Sequence, residues 1–292
     1  HVITSAIEHK AVLEACELLA RDYGFELSLV PVDSNGVVDL DVLQGTLRDD
    51  TTLCTIMYAN NEVGTTQPVS EIARLCHGRG VRFHTDAVQA AGLMPIEIPS
   101  LDVDALTISA HKFGGPKGVG ALYLREGHEL SPQIHGGGQE RGRRSGTSNV
   151  AGAVGLAAAL TVTESAKRAS VERLTALRDR IIDAVGLNIP TAVLTGHRTQ
   201  RLANHASFCF REVGGEAVLQ ELEMLGICCS SGSACAAGSD EVSHVLTAMG
   251  IDNELGQTSV RFTLGPTTTD EDVDRLIAVL PQAVESVSSL SA

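Results

Sequence analysis

The residues best suited to chemistry in this 292-residue sequence lie where apolar runs end. Ala105 to Gly118 reads Ala-Leu-Thr-Ile-Ser-Ala-His-Lys-Phe-Gly-Gly-Pro-Lys-Gly. An apolar, β-branched run stops at Ser109, His111 and Lys112, and glycines and a proline follow at once. A buried strand that delivers polar side chains to the rim of a sheet has this pattern, and ligands of open α/β sheets bind at that rim. A lysine at the mouth of an apolar strand loses solvation, so its neutral amine is favoured and can form a Schiff base with a carbonyl. Taken alone, Lys112 fits an ordinary surface lysine better.

Two more runs end in the same way. Thr51 to Tyr58 leads into Asn60-Asn61-Glu62, and Val81 to Thr85 leads into Asp86 with Gln89 just beyond. Asp86 follows Phe83-His84-Thr85, so partial burial is expected, and a buried carboxylate needs a protonated nitrogen or an N–H as partner. A Schiff-base lysine and an aspartate for a pyridinium nitrogen are what pyridoxal 5'-phosphate requires of a protein. Separately, Asp86 could cap a helix and His111 could be a satisfied buried histidine; their coincidence at successive strand ends favours the cofactor. A third candidate is Cys235, in Cys228-Cys229-Ser-Ser-Gly-Ser-Ala-Cys235. A loop this rich in glycine and serine suits a nucleophile that must travel. Cys228, Cys229 and Cys235 lack the spacing of a zinc or iron–sulfur motif, so no metal is expected. Cys228 and Cys229 are expected to end a strand and pack.

The elements that position these groups alternate. Helices are expected over His9–Arg21, Asp39–Leu47 and Val69–Arg79, and strands over Phe25–Val32, Thr51–Tyr58, Val81–Thr85, Leu106–Ser109 and Gly120–Leu124, which together make a mainly parallel, helix-covered sheet. Gly136 to Asn149 is glycine-rich and basic, either a plain surface loop or one whose arginines and Thr147 meet an anion or another subunit. A long alanine-rich helix follows from about Val150, and a domain boundary is placed inside it, near Lys167. The rest reads as a smaller α+β unit: a strand over Ser207–Arg211, a helix over Gly215–Leu225, a strand over Ser259–Leu264, and a last helix capped by Thr268-Thr269-Asp270-Glu271.

The totals exclude several classes. A net charge of −14 argues against non-specific nucleic-acid or anionic-membrane binding. No apolar run is long enough to span a membrane, and no secretory signal is visible. Seven scattered cysteines do not form a disulfide framework, which points to a reducing, cytoplasmic setting. The chain begins at His1, within what reads as a strand, so an N-terminal part is expected to be missing.

His-Thr-Asp-Ala-Val-Gln (84–89), Ser-Ala-His-Lys (109–112), Gly-Gly-Gly-Gln-Glu-Arg (136–141), Arg-Ser-Gly-Thr (144–147), Ser-Ser-Gly-Ser-Ala-Cys (230–235) and Ser-Val-Arg-Phe-Thr-Leu-Gly (259–265) occur in this order. Together they resemble the class V aminotransferase superfamily, and within it the cysteine desulfurases of the NifS/IscS type, over essentially the whole chain. The resemblance implies a pyridoxal-phosphate-dependent transferase of fold type I. Its large domain, residues 1–167, would hold a mainly parallel seven-stranded sheet, and its smaller α+β domain, residues 168–292, would carry the cysteine loop. It also implies residue roles. Lys112 would hold the cofactor and shuttle a proton, Asp86 would pair with the ring nitrogen, and Gln89 would bond the phenolic oxygen. His9 would stack on the ring and assist proton transfer. Ser109 and His111 would contact the phosphate, with Thr147 reaching that of a neighbouring subunit in a homodimer. Arg261 would take the substrate carboxylate, with Asn61 nearby. Cys235 would attack the sulfur of L-cysteine, leaving L-alanine and a persulfide for a sulfur-acceptor protein such as an iron–sulfur scaffold, or for thiolation. Selenocysteine lyase and a truncated, non-catalytic sulfur-acceptor scaffold are the alternatives. Family members carry a Gly/Thr-rich phosphate-binding turn in an N-terminal part that these residues do not include.

Overall fold

A computed structural model describes residues 1–232 and 242–291. In the first part the segments β1 (Val2–Ser5), α1 (Lys10–Tyr23), β2 (Leu27–Val30), α2 (Leu40–Thr46), β3 (Leu53–Thr55), α3 (Val69–His77), β4 (Arg82–Asp86), α4 (Ile98–Leu101), β5 (Ala105–Ser109) and β6 (Gly120–Leu124) follow one another. The strands form one sheet in the order β2-β1-β3-β4-β5-β6, parallel throughout except for the β5–β6 pair. Six strands of this sheet lie among the described residues, where the resemblance implies seven in the family's large domain.

The helices dock by periodicity. In α3, Val69, Ile72, Ala73 and Cys76 fall on one face and are buried against Cys54, Phe83 and Leu106 of the sheet. Asp39 starts α2 by accepting from the N–H groups of Asp41 and Val42. The expected strand over Thr51–Tyr58 is shorter, since only Leu53–Thr55 ladders fully. Ile56 and Tyr58 still donate to carbonyls of His84 and Asp86, but the N–H of Met57 turns to the side chain of Glu8.

Helix α5 runs unbroken from Val150 to Asn188. Its first half leaves Val150, Val154 and Val162 exposed and packs Leu156, Ala159 and Leu160 near Ala91, Ala110 and Phe113. Its second half turns Leu174, Leu177, Ile181 and Val185 inward, onto a second core with Phe208, Phe210 and Phe262. That core covers an antiparallel sheet ordered β7-β8-β10-β9, built from β7 (Ala192–Leu194), β8 (His205–Phe210), β9 (Ser230–Ser231) and β10 (Val260–Thr263). Between these strands lie α6 (Gly215–Met224), α7 (His244–Ala248) and α8 (Asn253–Gly256), and α9 (Asp270–Ser291) closes the chain. Thr269 and Asp272 cap α9 reciprocally, each side chain accepting from the other's N–H. Cys228 and Cys229 precede β9 instead of ending a strand. Cys228 is exposed, because the chain has not yet entered the ladder there, and Cys229 is half-buried.

Candidate functional site

The four parallel strands β1, β3, β4 and β5 point their C-terminal ends the same way, and the polar residues beyond them gather on one rim. Past β1 come Glu8 and His9, past β3 Asn60 to Glu62, at the end of β4 Asp86, and past β5 Ser109 to Lys112. Below the rim, His84 links three strands, with Nδ1 at 2.7 Å from Thr55 Oγ1 and Nε2 at 3.3 Å from Thr107 Oγ1. Burial pushes its pKa down to about 4, so it is a neutral strut beneath Asp86 and not a catalytic base.

Asp86 is buried, and Val88 N–H donates to its Oδ1 at 2.8 Å. Burial raises its pKa; that N–H and the nearby positive charges of His9 and Lys112 oppose the rise. Among the described residues Asp86 forms no ion pair. It is therefore a carboxyl out of water with spare capacity for a cationic nitrogen, which is what the ring nitrogen of pyridoxal phosphate would supply. The donor set thus fits that cofactor.

Lys112 stands on a single 3-10 turn, Ala110–Phe113, one step beyond the strand and exposed. The desolvation expected from the sequence is absent in the chain by itself, because the turn lifts the side chain past the apolar part of β5. Ser109 Oγ and His111 Nδ1 lie 2.8 Å apart on the same turn. Gln89 is half-buried just after Asp86. His9 caps α1, its Nδ1 accepting from Ala11 N–H at 3.1 Å.

The second sheet supplies Arg261. Along β10 the side chains alternate, so Val260 and Phe262 enter the core and Arg261 emerges on the other side. There its guanidinium donates to the Asn61 carbonyl at 2.8 Å, across 200 residues of sequence. His205 Nε2 lies 3.3 Å from the same carbonyl, and burial, helped by the charge of Arg261, pushes its pKa down to about 3. Thr147 is exposed, and among the described residues no hydrogen bond ties it to the others of this group. Cys235 lies outside the described residues. The segment leading to it is held on one side by Gly232 N–H donating to Ser259 Oγ at 3.0 Å.

Four residues at this rim went unassigned from sequence. Ser243 donates to the buried Glu62, His244 Nε2 lies 2.8 Å from the Glu8 carbonyl oxygen, and the Glu8 side chain is wholly buried. Glu62 follows Asn60-Asn61 and Glu8 precedes His9, so adjacency to candidate residues was the available signal.

Comparisons with known proteins bear on the family and the fold. The family model "Aminotransferase class-V" matches residues 1–276. A cysteine desulfurase IscS of Methanosarcina thermophila is 48% identical over 291 residues, covering 100% of this chain and 72% of that protein. One from Dictyoglomus turgidum is 47% identical, covering 100% of this chain and 74% of its own length. The solved structure of a NifS-like protein superposes with a TM-score of 0.90 at 38% identity, over 98% of this chain and 75% of that one.

Proposed function

This chain belongs to the aminotransferase class-V family, and from that premise we infer that it is a pyridoxal 5'-phosphate-dependent cysteine desulfurase converting L-cysteine to L-alanine. The observation that carries the reading is the buried Asp86 carboxyl within electrostatic reach of both His9 and Lys112. When bound, the cofactor supplies an electron sink for bond changes at the substrate.

We propose these tasks for the chain's own groups. The Lys112 amine holds the cofactor covalently and moves the proton at the substrate Cα. Asp86 keeps the ring nitrogen protonated, Gln89 bonds the phenolic oxygen, and His9 lies on the ring. Ser109 and His111 hold the phosphate, which Thr147 of a second copy completes. Arg261, whose guanidinium is oriented by the Asn61 carbonyl, takes the substrate carboxylate. The Cys235 thiolate attacks the substrate sulfur. An S–S bond forms as the Cβ–S bond breaks, the sulfur stays on Cys235 as the persulfide, and the electron pair freed at Cβ takes up a proton to give the methyl group of alanine.

The proposed assembly is a homodimer, supported by Val150 and Val154, which α5 leaves exposed just after Thr147. A division into residues 1–167 and 168–292 is supported by the two halves of α5, which pack into different clusters, Leu156 and Leu160 with Ala110 and Phe113, and Leu174 and Ile181 with Phe208. The persulfide sulfur is destined for a protein acceptor in iron–sulfur cluster assembly or thiolation, in the cytoplasm. The six described cysteines are all free thiols, in keeping with a reducing compartment. No described helix is long and apolar enough to cross a membrane.

The test is to mix the protein with pyridoxal phosphate and L-cysteine and to measure alanine, sulfide and protein-bound persulfide. Stoichiometric alanine and persulfide are expected; a cofactor-loaded protein that makes no alanine would overturn the assignment.

A further inference from the structure

Glu8 is a buried acidic side chain at the rim whose carboxyl forms no ion pair among the described residues. It is 0% exposed, between the ends of β1 and β3. Its Oε1 accepts twice, from Ser5 Oγ at 2.7 Å and from Met57 N–H at 2.7 Å, while Oε2 is buried with no hydrogen-bond partner among the described residues. Such one-sided bonding matches a carboxylic acid, whose carbonyl oxygen has two lone pairs to offer and whose other oxygen carries the proton. A carboxylate would bring a full charge out of water with one oxygen bare, which costs far more than an unmatched hydroxyl.

The groups facing it confirm the sign. Asp86 approaches from β4 and raises the Glu8 pKa. Cys16 of α1 and Cys54 of β3 are neutral thiols whose own pKa values Glu8 helps to raise. His244 of α7 meets the backbone carbonyl and not the carboxyl. Burial, the largest cause, takes the Glu8 pKa up to about 8.

We propose that Glu8 is a protonated carboxylic acid and a positioning residue: it ties the segment presenting His9 to the end of β3 without adding charge, so that Asp86 is the single anion under the cofactor ring. This rests on the cofactor assignment above for its second half. The geometry of a tether follows from the chain: Glu8 points into the core, so its neighbour His9 is set at the rim with its backbone fixed on both sides. Were Glu8 ionised, its charge would add to that of Asp86 and favour a proton on Asp86 over one on the ring nitrogen.

Infrared difference spectra of the full chain, wild type minus Glu8→Gln, read the protonation state with or without cofactor. A carboxylic-acid carbonyl band at neutral pH is expected, lost above the alkaline transition of Glu8. A carboxylate band in its place overturns the proposal. The positioning half is read from pyridoxal phosphate affinity and the absorbance of the lysine-bound cofactor. Glu8→Ala, which removes both accepted hydrogen bonds, is expected to weaken affinity about tenfold or more. Glu8→Gln, a neutral acceptor of the same shape, should restore it to within about threefold. Gln as damaging as Ala would mean the charge itself is needed, and Ala as good as wild type would mean there is no tether. If wild type shows no lysine-bound cofactor, the cofactor assignment fails, and the infrared result still decides Glu8.

Discussion

Replacing Glu8 by glutamine should change how the protein's stability depends on pH, by an amount the structure sets. In the unfolded chain Glu8 ionises near its ordinary 4.5; in the folded chain burial holds its proton until about 8. Between those values the unfolded state binds fewer protons than the folded one, so stability falls as pH rises and levels off above the folded pKa. With about 1.36 kcal/mol per pH unit, ionisation of Glu8 alone removes about 1 kcal/mol by pH 5 and roughly 4 kcal/mol by pH 8. Glutamine has no proton to lose. The stability of Glu8→Gln minus that of wild type should therefore grow by roughly 3 to 4 kcal/mol from pH 5 to pH 8. The difference is the quantity to measure, because the neutral buried His84 and His205 resist protonation and make both proteins less stable as pH falls below 6.5. Urea unfolding without cofactor at several pH values, analysed by linear extrapolation with m checked for constancy, supplies it. A difference that stays within about 1 kcal/mol over that range would show that Glu8 is ionised in the folded chain, and the reasoning from its burial would be wrong.

Cys235→Ser should keep the absorbance of the lysine-bound cofactor and form no persulfide with L-cysteine; persulfide at wild-type yield would assign the nucleophile elsewhere. Lys112→Ala should lose that absorbance while the protein stays folded by circular dichroism, and an unchanged spectrum would remove Lys112 from its role. Ile181→Ala, at a wholly buried position in the second core, should cost about 2–5 kcal/mol in urea unfolding, whereas Val154→Ala on the exposed half of the same helix should change monomer stability by under about 0.5 kcal/mol. If the two substitutions cost the same, the inward and outward halves of α5 are misassigned.

Much of the fold was legible because its signals are local. The spacing of Val69, Ile72, Ala73 and Cys76 specifies a helix with one apolar face, and the polar residues after each apolar run mark the strand ends. The strand lengths were less legible: Met57 looks like one more apolar strand residue, and only the presence of Glu8 diverts its N–H from the ladder. Lys112 shows the same limit, since a sequence can end a strand at Ser109 but cannot show that the next turn lifts the lysine into solvent.

By itself the sequence determined which groups are available and in what order: Lys112, Asp86 and Cys235 in motifs that name the chemistry, set on alternating strands and helices. These are matters of residue type and of spacing over a few positions, where hydrogen-bonding capacity and periodicity act. Only the tertiary structure decided that Arg261 meets the Asn61 carbonyl and that His84 is a neutral strut. It alone decided that Glu8, an ordinary acid in the sequence, lies out of water beside Asp86. Burial and the charges nearby fix those properties, and both come from segments remote in sequence that close over the site only once the sheets have assembled.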